Sequence, residues 1–149
     1  MRALLPTAIG AVVLAAGAWA AEGDPREWQG ALDLRRAVTI KSEHVGVNPP
    51  ALAEAGLAAG SFTPPKRVKG SSPSYPEAAA RDGAQGTVLV DCLIRDTGAV
   101  EACRVVRPVH PAVDRAVVDA IRRWKYEPAR VMDEPRSIVA QFMMIFRLQ

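Results

Sequence analysis

The sequence predicts an α+β fold: a small antiparallel sheet of about three strands backed by two helices, in the order α-β-β-α-β. Three observations over residues 70–149 carry that prediction. Val113, Ala116, Val117, Ala120, Ile121 and Trp124 recur at helical spacing and form one apolar stripe. The even positions from Ile138 to Leu148 are all apolar, the signature of a long strand with one buried face. Between them in kind lies Asp96-Thr97-Gly98, a tight turn with glycine where positive φ is needed, flanked by two runs with strand character.

Each element has a local reason. Ser74 or Tyr75 is placed to cap a short helix that has Pro76 at its first position and continues through Glu77-Ala-Ala-Ala-Arg81. Asp82-Gly83 ends it. Gly86 opens a strand in which Val88, Val90, Cys92 and Ile94 share one face. Val100 to Arg107 returns as its hairpin partner. The second helix has Pro111 at its start and Asp114 in its first turn, where the helix dipole favours an anion, and Pro128 lies beyond its end. Ser137 to Leu148 closes the chain as the last strand.

Cys92 and Cys103 lie on opposite arms of the hairpin. A two-residue Thr97-Gly98 loop sets them face to face, whereas a three-residue loop with a glycine bulge shifts the register by one. An even count suits a disulfide in an oxidising compartment; two small buried hydrophobes in a sheet are the other reading. Neither a His nor a third Cys sits at ligand spacing, so no metal and no cofactor are expected.

The 149 residues leave room for one domain and a tail. With 19 basic against 16 acidic residues the net charge is only +3, without the dense basic and aromatic stripe of a nucleic-acid protein. The one basic cluster, Lys66-Arg67-Val68-Lys69, reads as solvated linker. Residues 1–20 read as a signal peptide or, alternatively, a membrane anchor: Met1-Arg2 precedes a charge-free run from Ala3 to Ala21, in which Ala18-Trp19-Ala20 offers a small-x-small cleavage site. Either way the body of the chain is exported. Residues 21–69, with Pro25, Pro49-Pro50 and Pro64-Pro65, read as a flexible tether holding at most short helices at 26–38 and 51–59.

Enzyme chemistry is not expected. His44 falls in the tether and His110 precedes a helix, each without a carboxylate or nucleophile partner, and Ser71, Ser72 and Ser74 sit in no nucleophile elbow. What the sequence offers instead is a sheet edge. A long terminal strand often lies at the edge, and its free N–H and C=O groups can pair with an extended peptide. Val139, Met143 and Ile145 would add apolar contacts on its outer face. Pairing of two copies through that edge, or protection by a loop, are the other outcomes it allows.

Tyr75-Pro76, Gly86-Thr-Val88, the Asp96-x-Gly98 turn, Trp124-Lys-Tyr-Glu-Pro128 and the terminal apolar strand, in this order, resemble the C-terminal domain of TonB-family proteins. The resemblance covers about residues 70–149. It implies a periplasmic binding module of energy-dependent transport whose last strand pairs with the box peptide of TonB-dependent outer-membrane receptors. By position, partner binding falls on Ser137, Ile138, Val139, Ala140, Gln141 and Phe142. Ser72, Pro73 and Ser74, with Tyr75, occupy the place of a second contact segment, and serines stand where well-studied members carry glutamines. Full transducers also meet a proton-driven motor through a Ser/His pattern in an inner-membrane helix. Residues 3–21 hold Thr7 but no Ser or His, so inner-membrane motor proteins are not expected partners. The alternative is a disulfide-stapled envelope adaptor, self-associating through the same strand, without energy transduction.

Overall fold

The computed structural model describes residues 28–41, 44–58 and 60–149, so the expected signal peptide or anchor at 1–20 lies outside the described residues. In chain order, β1 (Leu32–Asp33), β2 (Val38–Lys41) and β3 (His44–Val47) are followed by helix α1 (Pro49–Glu54) and strands β4 (Phe62–Thr63) and β5 (Lys66–Lys69). Next come α2 (Glu77–Arg81), β6 (Gly86–Ile94), β7 (Val100–Arg107) and α3 (Pro111–Arg123). Three short strands, β8 (Lys125–Glu127), β9 (Arg130–Val131) and β10 (Glu134–Pro135), lead to β11 (Ile138–Phe146).

The α+β class stands, but the main sheet is larger than expected. It has six strands in the order β3-β2-β11-β6-β7, with β1 beside β11. The antiparallel trio expected from sequence is its β11-β6-β7 part. Two small sheets, β10-β9-β4 and β5-β8, lie apart from it, and there are three helices among the described residues.

Alternation along the strands sets the layers. Val88, Val90, Cys92 and Ile94 of β6 and Ile138, Ala140, Phe142, Met144 and Phe146 of β11 all face one buried side. Helix α3 covers this side with Val113, Val117, Ile121 and, just past its end, Trp124, all fully buried. His110 caps α3, its Nδ1 accepting the Ala112 N–H at 3.1 Å, with Pro111 in the first turn. Helix α2 starts one residue later than expected: Pro76 is its extended N-cap, and no side chain caps it.

Two sequence expectations are corrected here. Much of the stretch read as tether is built into the main sheet and the core, and β4 and β5 join the two small sheets. Leu34, Val38, Ile40, Leu52 and Phe62 are buried with the residues of β6, β11 and α3. The helix expected over 26–38 gives way to β1 and β2, because the run Val38-Thr39-Ile40 is β-branched and finds a strand to pair with. The second expected helix is shorter and earlier, at Pro49–Glu54. The terminal strand, in turn, is not an edge. β11 pairs antiparallel with β6 over nine positions on one side and parallel with β1 and β2 on the other. Among the described residues the edges of the main sheet are β3 and β7.

Cys92 and Cys103 form a disulfide, with Cα atoms 4.1 Å apart. The route to it differs from either simple hairpin. Arg95 and Ala99 flank a three-residue loop, Arg95 N–H donating to the Ala99 carbonyl at 2.8 Å and Gly98 (φ 87°) donating to Arg95. That loop pairs Leu93 with Glu101 and would set Ala102 opposite Cys92. A bulge then adds one residue: Ala102 takes φ 48°, Asp91 pairs with Arg104, and Cys103 returns to face Cys92. The two irregularities cancel, and the crosslink restrains the denatured chain by roughly 2–4 kcal/mol.

If residues 28–41 belong to the cooperative core, Leu34→Ala should lower the unfolding free energy of the full chain by about 2–5 kcal/mol, the range for a buried leucine. Urea denaturation checks this; a tether residue would leave the midpoint unchanged.

Candidate functional site

The two partner-binding segments expected from sequence reach β11 from different directions. Ser137, Val139, Gln141 and Met143 direct their backbone groups away from β6. The first two carbonyls are taken, Ser137 by the Leu32 N–H and Val139 by the Leu34 N–H, both at 2.9 Å. Thr39, Ile40 and Lys41 then lie opposite Gln141, Phe142 and Met143. The Ser137 hydroxyl accepts the Asp96 N–H at 3.0 Å, tying the start of the strand to the hairpin turn. Ile138, Ala140 and Phe142 point into the core. Val139 faces the other way but is also buried, under Trp28 and Ala31 and beside Leu93 and Ala102. Of the three apolar residues expected on the outer face, only Ile145 is exposed, at 58%.

Ser72, Pro73, Ser74 and Tyr75 lie on the helix side. The Trp124 indole N–H donates to the Ser71 carbonyl at 2.8 Å and so draws this loop onto the end of α3. Gly70 lets the chain pass: a Cβ there would sit 2.1 Å from the Trp124 ring, and its φ of 133° suits no other residue. Together Lys69 to Ser74, Asp119, Arg123 and Trp124 border a groove of about 570 Å³. Trp124 and Tyr126 pack against Phe142 with ring centroids 6.1 and 6.2 Å away, and Tyr75 packs against Phe146 at 5.6 Å. Tyr75 also donates its hydroxyl to the Ala84 carbonyl. The two segments therefore share β11 as a backing but do not form one continuous surface.

Sequence reasoning missed a third group, on the outer face of the sheet. The Trp28 indole N–H donates to the carbonyl of Ala102, the bulge residue, at 3.0 Å. The guanidinium carbons of Arg35 and Arg104 lie 5.4 and 5.3 Å from the Trp28 ring, a cation on each count within favourable range. Arg35 also pairs with Asp33 at 2.5 Å and reaches Asp91 at 3.5 Å. Asp91 is buried, and desolvation raises its pKa above the ordinary carboxylate value, while Arg35, Arg104 and Gln141 partly offset that rise. Neither residue spacing nor a motif marks this group. Only the fold-back of residues 28–36 assembles it.

Among the described residues, no set of three or more His, Cys, Asp or Glu side chains is placed to hold a metal ion. No described helix is long and apolar enough to cross a membrane.

Residues 71–148 match the family described as the Gram-negative bacterial TonB protein C-terminal. A solution NMR structure of the Pseudomonas aeruginosa TonB C-terminal domain is similar at 27% identity and a TM-score of 0.48, over 58% of this chain and 89% of that one. No curated protein matches.

The burial of Asp91 has a signed pH consequence. Its raised folded-state pKa means that the native state holds this proton more tightly than the unfolded chain does. The cost of burying the ionised form is fully present above the folded pKa and fades as pH falls toward 3.8, the unperturbed value. Relative to Asp91→Asn, the wild-type chain should therefore gain unfolding free energy as pH drops from 7 to 4. Paired denaturation series across that range check it; a difference that stays constant refutes the assignment.

Proposed function

The chain belongs to the family of TonB C-terminal domains, and from that membership we propose that it is a periplasmic protein-binding module that grips an outer-membrane receptor in energy-dependent transport. In this reading an extended receptor segment adds to β11 along Ser137, Ile138, Val139, Ala140, Gln141 and Phe142. Strand addition draws affinity from backbone hydrogen bonds and selectivity from alternate side chains. The observation that supports the reading is the parallel pairing on β11: from Ile138 to Met143 this strand holds extended segments of the chain itself, β1 and β2, on the side away from β6. Ser72, Pro73 and Ser74 border a groove on the helix side and, with Tyr75, are the proposed second contact. The buried disulfide suits an oxidising compartment.

A second reading keeps the fold and drops the motor. The side of β11 away from β6 is already filled by the chain itself, as an envelope adaptor that docks elsewhere would have it.

Titration of the full chain with a synthetic peptide spanning the N-terminal box of an outer-membrane receptor, followed by amide chemical shifts, separates the two. Receptor engagement should move the amides of residues 137–142 and of 72–75 together, saturably. A saturating peptide that leaves residues 137–142 unchanged would remove the receptor reading.

A further inference from the structure

The side of β11 that a partner would use is occupied by residues 32–41 of the same chain, and the occupant is interrupted by a loop. Leu32 and Asp33 lie opposite Ile138 and Val139, and Thr39, Ile40 and Lys41 opposite Gln141, Phe142 and Met143. Between these two sets of pairs, one residue of β11, Ala140, corresponds to five of the occupant, 34–38. The surplus residues loop away and close on themselves, the Ala37 and Val38 N–H groups both donating to the Leu34 carbonyl at 3.0 and 2.7 Å. The other side of β11 is sealed by β6 without interruption over nine residues. A strand can be hydrogen-bonded on two sides only, so any peptide that adds to β11 must remove residues 32–41 or part of them.

We propose that residues 28–41 are an internal pseudo-ligand that gates this edge and displays the pattern of the true partner. The proposal rests on the reading of β11 as the binding strand. The partner it specifies is an extended segment running parallel to β11, with apolar side chains at every second position and polar ones between. That pattern follows from the occupant: Leu32 and Ile40 pack on the core side opposite Ile138 and Phe142, with Leu34 and Val38 filling the place between, while Asp33, Thr39 and Lys41 alternate with them. A continuous six-residue strand would meet the same positions of β11 without having to order the loop between them, which gives it the means to compete.

The gate has a latch that does not overlap the edge. Trp28 lies over the outer face, hydrogen-bonded to Ala102 and within cation–π range of Arg35 and Arg104, while Arg35 reaches Asp91. Loosening the latch should raise the share of molecules with an open edge, and apparent affinity scales with that share.

The probe is the hexapeptide Leu-Asp-Leu-Thr-Ile-Lys, which joins residues 32–34 to 39–41 and omits the loop. It is titrated into the full chain, into Trp28→Ala/Arg35→Ala, and into an oxidised Thr39→Cys/Gln141→Cys variant whose crosslink ties the occupant to β11 at a facing pair. The matching serine pair is the control for the two substitutions. The expected result is binding to the wild type with faster amide hydrogen exchange over residues 32–41. Affinity should rise about tenfold in the loosened variant, a shift of about 1.4 kcal/mol, and binding should be lost in the crosslinked one but kept in the serine control. Equal binding to crosslinked and control chains overturns the gate, and so does no binding to the wild type and the loosened variant alike. A receptor box peptide run on the same series keeps the two readings apart. If it fails where the hexapeptide binds, the receptor reading falls and the gate stands. If it binds crosslinked and control chains alike, only the gate falls.

Discussion

Hydrogen bonding on both sides of β11 is the constraint on which the rest of this structure depends. The strand is the only one paired to β1, β2 and β6 at once, so it fixes which side of each neighbour faces the core. Its even-numbered residues lie under α3, and a slip of one residue would expose all of them. Phe142 at its middle is the residue against which both Trp124 and Tyr126 pack. Through Trp124 the same contact reaches Gly70 and the Ser71 carbonyl, and so positions the loop that carries Ser72 to Tyr75.

The hairpin shows how local irregularity can serve a long-range requirement. A three-residue loop at Asp96-Thr97-Gly98 displaces the register, and the bulge at Ala102 restores it for Cys92 and Cys103. The loop itself is dictated from outside: a Cβ on Gly98 would lie 1.9 Å from the Tyr126 carbonyl oxygen, and the Gly98 carbonyl accepts the Tyr126 N–H at 3.0 Å. The bulge leaves the Ala102 carbonyl turned outward, where Trp28 satisfies it. One displaced residue thus links the disulfide, the hairpin turn and the chain's N-terminal fold-back.

That fold-back bears on the proposed role of β11 as the binding strand. A bare edge would be permanently available and open to unwanted strand pairing. In the proposed reading, an occupied edge would engage only a segment that outcompetes its occupant, and the occupant's own alternation would set the standard of selectivity.

Much of this was legible in the sequence. Helix α3, the strands β6, β7 and β11 and the buried face of β11 each rest on periodicity or turn chemistry within one short window; the cysteines pair as their even count suggested, but through a bulge at Ala102 that turn chemistry did not show. The partner-binding positions proposed at Ser137 to Phe142 and Ser72 to Tyr75 come from motif order alone. The partners of those positions were not legible. Leu34, Val38 and Ile40 sit in a stretch broken by prolines and glycines, where spacing suggested a weak helix at most; they become strand and core only because β11 offers backbone groups about a hundred residues away. Trp28, Arg35, Asp91 and Arg104 are likewise scattered in sequence and meet only on the finished sheet. By itself the sequence determined the local elements and the family to which they belong, because side-chain periodicity and turn chemistry act over a few residues. Only the tertiary structure decided which strand is central and what covers its side, because that depends on which distant segment gains most by pairing there.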